Sequence, residues 1–358
     1  MEKFILKYFN LIRTIIAIAI GLIISIFVIY VISKNPGFSL KSFLLGPFLS
    51  KSRFGNLIET ASPIILCGLA IAVPFQAEQF NVGAEGALFI GAAIGTAFAV
   101  STSMPAIIHI PLVLLVAGLV GAFWGFIPGI LKAKWNASEL VSSLMLNYVA
   151  YFLGLYIINY HFRDKSAGYL VSYQLPKTAW LTQFVPGTRI HWGIVLAFVF
   201  AILVYFFLYH TTLGYEIRMT GFNIHFSRYG GINVFKVIVI SQVIGGFIAG
   251  IAGMTEVMGI HRRFNWQMTP GYGWDGVVVA IIGRNHPISI VLASLFLAYL
   301  RVGGQVLNLL SDIPSEMVTV IEAIIILLIT AEAFLEQWRY RITVKEAERK
   351  EVEHEPTS

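Results

Sequence analysis

The chain has 358 residues, of which 57% are hydrophobic and only 12% charged, with a mean hydropathy of +0.77. Soluble domains carry roughly 25% charged residues, so this composition excludes an ordinary soluble fold and points to an integral membrane protein. The formal charge of +6 is read as lysine and arginine at helix ends facing membrane lipid rather than as a nucleic-acid footprint, because no basic stretch is interleaved with aromatic residues.

Apolar runs near the 20 residues needed to cross about 30 Å of hydrocarbon recur along nearly the whole sequence, leaving no room between them for a soluble domain. The expected fold is an all-α integral membrane protein, a polytopic bundle of about ten transmembrane helices, some short or broken. The spans fall near residues 14–32, 57–74, 84–100, 107–130, 140–158, 193–209, 235–255, 274–283, 288–301 and 316–334. The first follows Lys3, Lys7 and Arg13, is longer than a signal-peptide core and lacks a small-residue cleavage site, so it is expected to stay as an anchor. Cys67, the single cysteine, lies in the second span and excludes both an intrachain disulfide and a cysteine metal cluster; it reads as a packed core residue. The eighth and ninth runs, split by "GRNHP", are either two tilted short helices or a re-entrant segment followed by a helix. A bilayer tolerates the latter only where protein covers the broken backbone.

An even number of spans puts both termini on one side, and their basic residues place them in the cytoplasm. The bias over the loops is weak, because Lys34, Lys41, Lys51 and Arg53 fall on the outer side of this scheme. The resulting division is a cytoplasmic segment 1–13, a transmembrane domain 14–334 and a cytoplasmic tail 335–358. Within the domain, an extracytoplasmic loop 159–192 mixes Pro, Gly, charge and aromatic residues and suits an interfacial or partner-contacting cap. A polar cytoplasmic loop 210–234, interrupted by glycines, suits a short helix lying across the membrane face.

Most glycines read as packing positions. Gly121, Gly125 and Gly129 recur every four residues, as do Gly91 with Gly95 and Gly246 with Gly250, baring one face of each helix for close backbone approach. Charges inside or beside spans say more, because a carboxylate there costs a few kcal/mol without water or a partner. They are Glu85, Glu256, Asp275 and Glu322. Glu85 follows "FNVG", so it fits the first turn of a helix, where a carboxylate suits the positive end of the dipole and Asn81 suits a cap. A capped helix end inside a bundle is also how transporters build midplane sites for polar solutes. In the fifth span Ser143, Asn147 and Tyr151 share one helical face. Such a stripe either glues helices together or lines a path for a neutral, hydroxyl-rich solute. Phosphate-loop, H-E-x-x-H and G-x-S-x-G motifs are absent, as is a Cys/His ligand set, so the chain is expected to be no enzyme and to hold no metal or cofactor of its own. If transport is active, its energy enters from a gradient or from another chain.

Four stretches, "FNVGAEGALFIGA", "KAKWNASELVSSLMLNYVA", "TTLGYEIRMTGFNIHFSRYGGI" and "GYGWDGVVVAIIGRNHPISIVLAS", together resemble the permease subunits of bacterial ABC importers, in the branch for nucleosides and simple sugars related to ribose and branched-chain amino-acid permeases. The resemblance covers roughly residues 55–330, in order. It implies a multi-pass protein of the bacterial cell membrane, paired with a second, often different, permease chain. It also implies an extracytoplasmic substrate-binding lipoprotein and a partner ABC ATPase that carries the ATP and Mg.

The same resemblance gives the inner loop the role of coupling segment, carried onto Gly214, Arg218, Gly221, Asn223 and Gly230. The chain departs from many relatives in having bulky His225, Phe226 and Arg228 ahead of the Gly-Ile. The first two stretches look most like the nucleoside branch. The substrate pathway is accordingly expected along Phe80, Asn81, Glu85, Ser143, Asn147, Tyr148, Trp274 and Asp275, where amides, a hydroxyl and a carboxylate offer hydrogen bonds and Phe80, Tyr148 or Trp274 offer stacking faces. Permeases for simple sugars or another small polar solute, and a gradient-driven secondary transporter, are the competing readings.

Overall fold

The computed structural model describes residues 23–311, apart from 25 and 32, and scattered positions from 313 to 327. The expected terminal segments 1–13 and 335–358, most of the first and last expected spans, and Glu322 lie outside the described residues. Among those described the fold is helical, with two isolated bridges and no named strand. The helices are α1 (Pro36–Leu44), α2 (Lys51–Gln76), α3 (Ala84–Ser101), α4 (Ala106–Trp135), α5 (Glu139–Tyr156), α6 (Gly193–His210), α7 (Thr212–Phe222), α8 (Ile224–Tyr229), α9 (Val234–Glu256), α10 (Tyr272–Ile282) and α11 (Pro287–Leu310). Both α5 and α9 continue into a single π turn, Ile157–His161 and Val257–His261.

Seven of these helices, α2 to α6, α9 and α11, are long and apolar enough to cross a membrane, and α10 is a shorter apolar helix. The chain is an all-α, multi-pass membrane protein. The ninth expected span is longer than its apolar run suggested: α11 passes through Arg301 and the polar Gln305 to end at Leu310. The apolar run ends at the charge of Arg301, whereas the helix carries that charge inside because Arg301 has a buried partner, described below.

Residues 48–302 form one compact unit, and the described residues up to 47 and from 303 form another. In the latter, Gly303 near the end of α11 faces the Phe43 carbonyl of α1, where an added methyl would lie 2.8 Å from the oxygen. In the larger unit α2 is buried over 89% of its apolar window and α9 over 72%, against 22% for α5. Therefore α2 and α9 are inner helices and α5 an outer one. The spacing of the glycines explains the centre. A methyl on Gly121 would overlap the Gly246 carbonyl oxygen, one on Gly125 that of Gln242, and one on Gly250 that of Ala117. Helices α4 and α9 thus touch backbone to backbone, as the four-residue glycine repeats predict. Cys67 is fully buried in α2.

The segment between α5 and α6 folds onto the return that follows α9. Ser172 N–H donates to the Phe264 carbonyl at 2.9 Å and Leu175 N–H to that of Arg262 at 2.9 Å, while the Arg262 guanidinium lies 4.2 Å from the Trp180 ring centre. At its end His191 is buried, and its Nδ1 accepts the Gly193 N–H at 3.0 Å.

Candidate functional site

The carboxylate at Glu85 stands in the first turn of α3 and is 2% exposed. It does not serve its own helix alone. The Gly271 N–H donates to Oε1 at 2.7 Å and the Gly273 N–H to Oε2 at 2.6 Å, so Glu85 caps the amino end of α10, where backbone donors lack intrahelical partners. Gly271 makes the turn with a φ of 85°, a conformation natural to glycine. Gly273 has no room for a side chain, since a methyl there would overlap the Glu85 backbone. The charge is therefore the clamp that holds a short helix end inside the bundle.

The polar stripe of α5 is spent in the same place. Ser143 Oγ accepts the Val82 N–H at 3.2 Å, Asn147 Oδ1 accepts the Gly86 N–H at 2.9 Å, and Asn147 Nδ2 donates to the Val82 carbonyl at 3.1 Å. One turn further, the Tyr151 hydroxyl donates to the Gln267 carbonyl at 2.9 Å. Asn81 braces the turn before α3 by accepting the Gly83 N–H at 2.6 Å, and its amide donates to Gln242 Oε1 of α9 at 2.8 Å. Here the stripe joins α5 to the irregular backbone on either side of it, which hydrocarbon would not solvate.

Between α5, the amino ends of α3 and α10, and the residues just before α10 lies a cleft of about 310 Å³. Of the residues expected along a pathway, Glu85, Asn147, Tyr148 and Trp274 line it, joined by Tyr151, Phe152, Met268 and Thr269. Tyr148 is 63% exposed and Trp274 48%. Phe80, Asn81, Ser143 and Asp275 do not line the cleft. Phe80 stacks on Phe75 with centroids 4.7 Å apart, and Asn81 and Ser143 border a water-sized void of about 20 Å³ beside Gln242. Asp275 is clamped by Arg301 of α11, with both guanidinium nitrogens 2.7 Å from its carboxylate oxygens. Because Glu85 and Asn147 already have backbone partners, the cleft presents mainly aromatic and thioether surface, with the Thr269 and Tyr148 hydroxyls beside it.

Glu256, also singled out by sequence, ends α9. The Tyr272 hydroxyl donates to its Oε1 at 3.3 Å, and the carboxylate of Glu59 in α2 is a near neighbour of the same charge. Sequence reasoning passed over Glu59, Gln242 and Arg301. For each the signal was available: a lone polar group inside an apolar run needs a partner.

The expected coupling segment is two helices. Thr211 caps α7 by accepting the Gly214 N–H at 3.1 Å, and Asn223, which ends α7, caps α8 by accepting the Phe226 N–H at 3.0 Å. Gly214 and Gly221 press against other backbone, at the Phe207 and Gln76 carbonyls. Arg218 donates to the Leu208 carbonyl at 3.0 Å and covers the Tyr209 ring at 4.8 Å. Gly230 follows α8 with an ordinary φ of −75°, and the left-handed turn falls on Gly231 with φ 79°. What the segment exposes is aromatic: Phe222 at 86%, Phe226 at 60% and Tyr229 at 95%, beside exposed His225 and Arg228.

Comparison with known proteins places this architecture. The family described as branched-chain amino acid transport system / permease component matches residues 53–330. The chain is 36% identical to the guanosine ABC transporter permease protein NupP of Bacillus subtilis, over 90% of this chain and 93% of that protein. It is 35% identical to the glucose ABC transporter permease protein TsgB13 of Haloferax volcanii, over 82% of this chain and 80% of that one. It is 30% identical to the nucleoside ABC transporter permease protein NupB of Lactococcus lactis, over 90% and 91%. B. subtilis and L. lactis each also hold a more distant match, NupQ and NupC, both 26% identical. No solved structure matches. The ordered glycine-rich motifs, the multi-pass helical fold and a match over most of the chain lead to one conclusion: the chain belongs to the family of branched-chain amino-acid transport system permease components, the membrane-spanning subunits of ABC transporters.

Proposed function

We propose that this permease forms the translocation pathway for nucleosides in an ABC importer of the bacterial cell membrane, with the cleft beside Tyr148 and Trp274 as part of the path. The observation that carries the reading is the chemistry of the cleft. Its buried polar side chains, Glu85 and Asn147, are occupied by backbone, and apart from the Thr269 and Tyr148 hydroxyls its exposed faces are aromatic and thioether, which suits a flat base passing by stacking more than a hexose that needs many hydrogen bonds. Similarity to NupP and NupB points the same way. Similarity to TsgB13 favours glucose as the second reading.

In this proposal both termini and α7–α8 face the cytoplasm, and residues 14–334 form the membrane domain between the cytoplasmic ends 1–13 and 335–358. The loop 159–192 faces the extracytoplasmic lipoprotein that delivers solute. The second permease is a different chain, by analogy with the paired matches in two organisms. ATP and Mg bind the partner ATPase, which docks on Phe222, Phe226 and Tyr229. Gly214, Arg218, Gly221 and Asn223 hold those aromatics in place, so that nucleotide-driven closure is passed on as a rigid-body push. The test is uptake of radiolabelled uridine and adenosine in cells carrying this chain and its ATPase, intact or altered in the phosphate loop. Uptake that needs the intact ATPase and is competed by nucleosides supports the proposal. ATPase-independent uptake sinks it, and competition by glucose alone transfers the cargo to the second reading.

A further inference from the structure

Helix α5 with its π turn has the least buried apolar window of the seven spans. Tyr148, Phe152, Tyr156 and Tyr160 are each more than half exposed. They stand four residues apart, so they form one ridge along the helix surface, about 18 Å long at 1.5 Å per residue. Tyr148 and Phe152 line the cleft. Tyr156 and Tyr160 carry the ridge away from it to the start of the loop 159–192, with ring centres 5.1 Å apart.

Faces turned to lipid look different in this protein. Among the described residues, the large apolar side chains that α4, α6 and α11 expose are aliphatic or phenylalanine, with Trp135 at the end of α4, and include no tyrosine. Tyrosines that belong to an interfacial belt gather at the ends of a span, whereas Tyr148 stands near the middle of Glu139–His161. Hydrocarbon offers a phenol there no hydrogen bond. A helix of a second permease laid along the ridge would bury these rings, but it would cover that wall of the cleft with them. A row of exposed rings, three with hydroxyls, that runs into a cleft suits an aqueous path.

We propose that Tyr160, Tyr156, Phe152 and Tyr148, in that order, are the entry track of the pathway, along which a nucleobase passes from ring to ring by stacking until it reaches the cleft. The inference rests on the nucleoside reading above and adds where the solute enters and which part of it is recognised. Recognition by stacking is tolerant, because every base has a π face, so the track serves purine and pyrimidine nucleosides alike.

The test uses membranes that hold the chain with its second permease, its ATPase and the delivering lipoprotein. Tyr156→Leu and Tyr160→Leu keep apolar bulk and lose the ring. Each is expected to lower adenosine and uridine uptake at low concentration about fivefold, the lower end of what a base–aromatic stack contributes, and Tyr156→Phe and Tyr160→Phe to restore most of it. Separately, Tyr156→Cys and Tyr160→Cys are expected to react with a hydrophilic methanethiosulfonate reagent, read on this chain by mass spectrometry, and to react more slowly with adenosine present. Cys67 is fully buried and stays out of that reaction. Cysteines that the reagent does not reach in the assembled transporter overturn the track, because a second permease or lipid then covers the ridge. Phenylalanine variants no better than leucine overturn it too. Protection by glucose and not by adenosine overturns the nucleoside reading and the track with it, whereas nucleoside uptake that stays intact in the leucine variants removes the track alone.

Discussion

Replacing Glu85 by glutamine separates a carboxylate that binds solute from one that holds a helix. Oε1 and Oε2 each accept one backbone N–H, from Gly271 and Gly273, and at 2% exposure water does not replace them. A hydrogen bond to a charged group contributes about 1.5–3 kcal/mol. Glutamine keeps one acceptor and turns an NH₂ toward the other donor, so it loses about 1.5–3 kcal/mol. Alanine orphans both donors and loses about 3–6 kcal/mol. The loss falls on α10 and the return before it, so the local assay is tryptic cleavage after Arg262 and Arg263 in detergent, beside the apparent melting midpoint at one scan rate. Cleavage tracks the open population, and about 1.4 kcal/mol is tenfold; the expected order is alanine fastest, then glutamine, then the unaltered chain. Equal cleavage and melting in all three would refute the clamp. Loss of uptake in that case would make Glu85 a solute ligand.

Four further outcomes follow from the geometry. Asp275→Leu leaves Arg301 without its bidentate partner, and breaking a buried pair costs about 3–5 kcal/mol; the lower end is expected because the Arg301 side chain is 29% exposed, and adding Arg301→Met should restore more than half of the lost melting midpoint. Burial holds the His191 imidazole down to about 4 from an ordinary 6.5, so the folded loop keeps it neutral while the unfolded chain takes up a proton below about pH 6.5. Its stabilisation is complete above that value and is lost as pH falls toward about 4, by roughly 3 kcal/mol in all; proteolysis of residues 162–192 should accelerate over that window, and less so in His191→Gln. Phe226→Ala with Tyr229→Ala should lower ATP-driven uptake at least about tenfold, as removal of interface anchors does, with the melting midpoint unchanged. Gly221→Leu should instead lower the midpoint, since its Cβ would overlap the Gln76 carbonyl.

The spans were legible because hydropathy is a sum over many residues: α3, α4, α6 and α9 begin and end within a few residues of their apolar runs. That α4 and α9 each bare one face for close packing was legible from glycines every four residues, whereas their pairing with one another comes only from the fold. The amino end of α3 was half legible. "FNVG" before Glu85 announces a helix start, but the carboxylate reaches across 186 residues of sequence to Gly271, and no local pattern records which backbone donors a fold brings together. The stripe on α5 shows the same limit. Its helical face follows from the spacing of Ser143, Asn147 and Tyr151, whereas its use, to hold backbone, depends on where the turn at residues 81–86 is placed. In the segment 210–234 the glycines drew attention and proved to lie against other backbone, while the exposed rings of Phe222 and Tyr229 carried no sequence signature of their own.

The glycine crossing of α4 and α9 also restricts how such a protein can move. With carbonyl oxygens seated where a glycine leaves no side chain, sliding either helix along the other brings those oxygens toward residues that carry a Cβ, so the close contact favours one register and the pair acts as a strut. The moving parts of a transport cycle must then be hung on it, and α5, buried over only 22% of its apolar window, is the freer neighbour. A disulfide engineered across the α4–α9 crossing, at positions whose Cβ atoms fall within bonding range, should leave ATP-driven uptake intact. Uptake that stops on oxidation and returns on reduction would show that the strut itself bends.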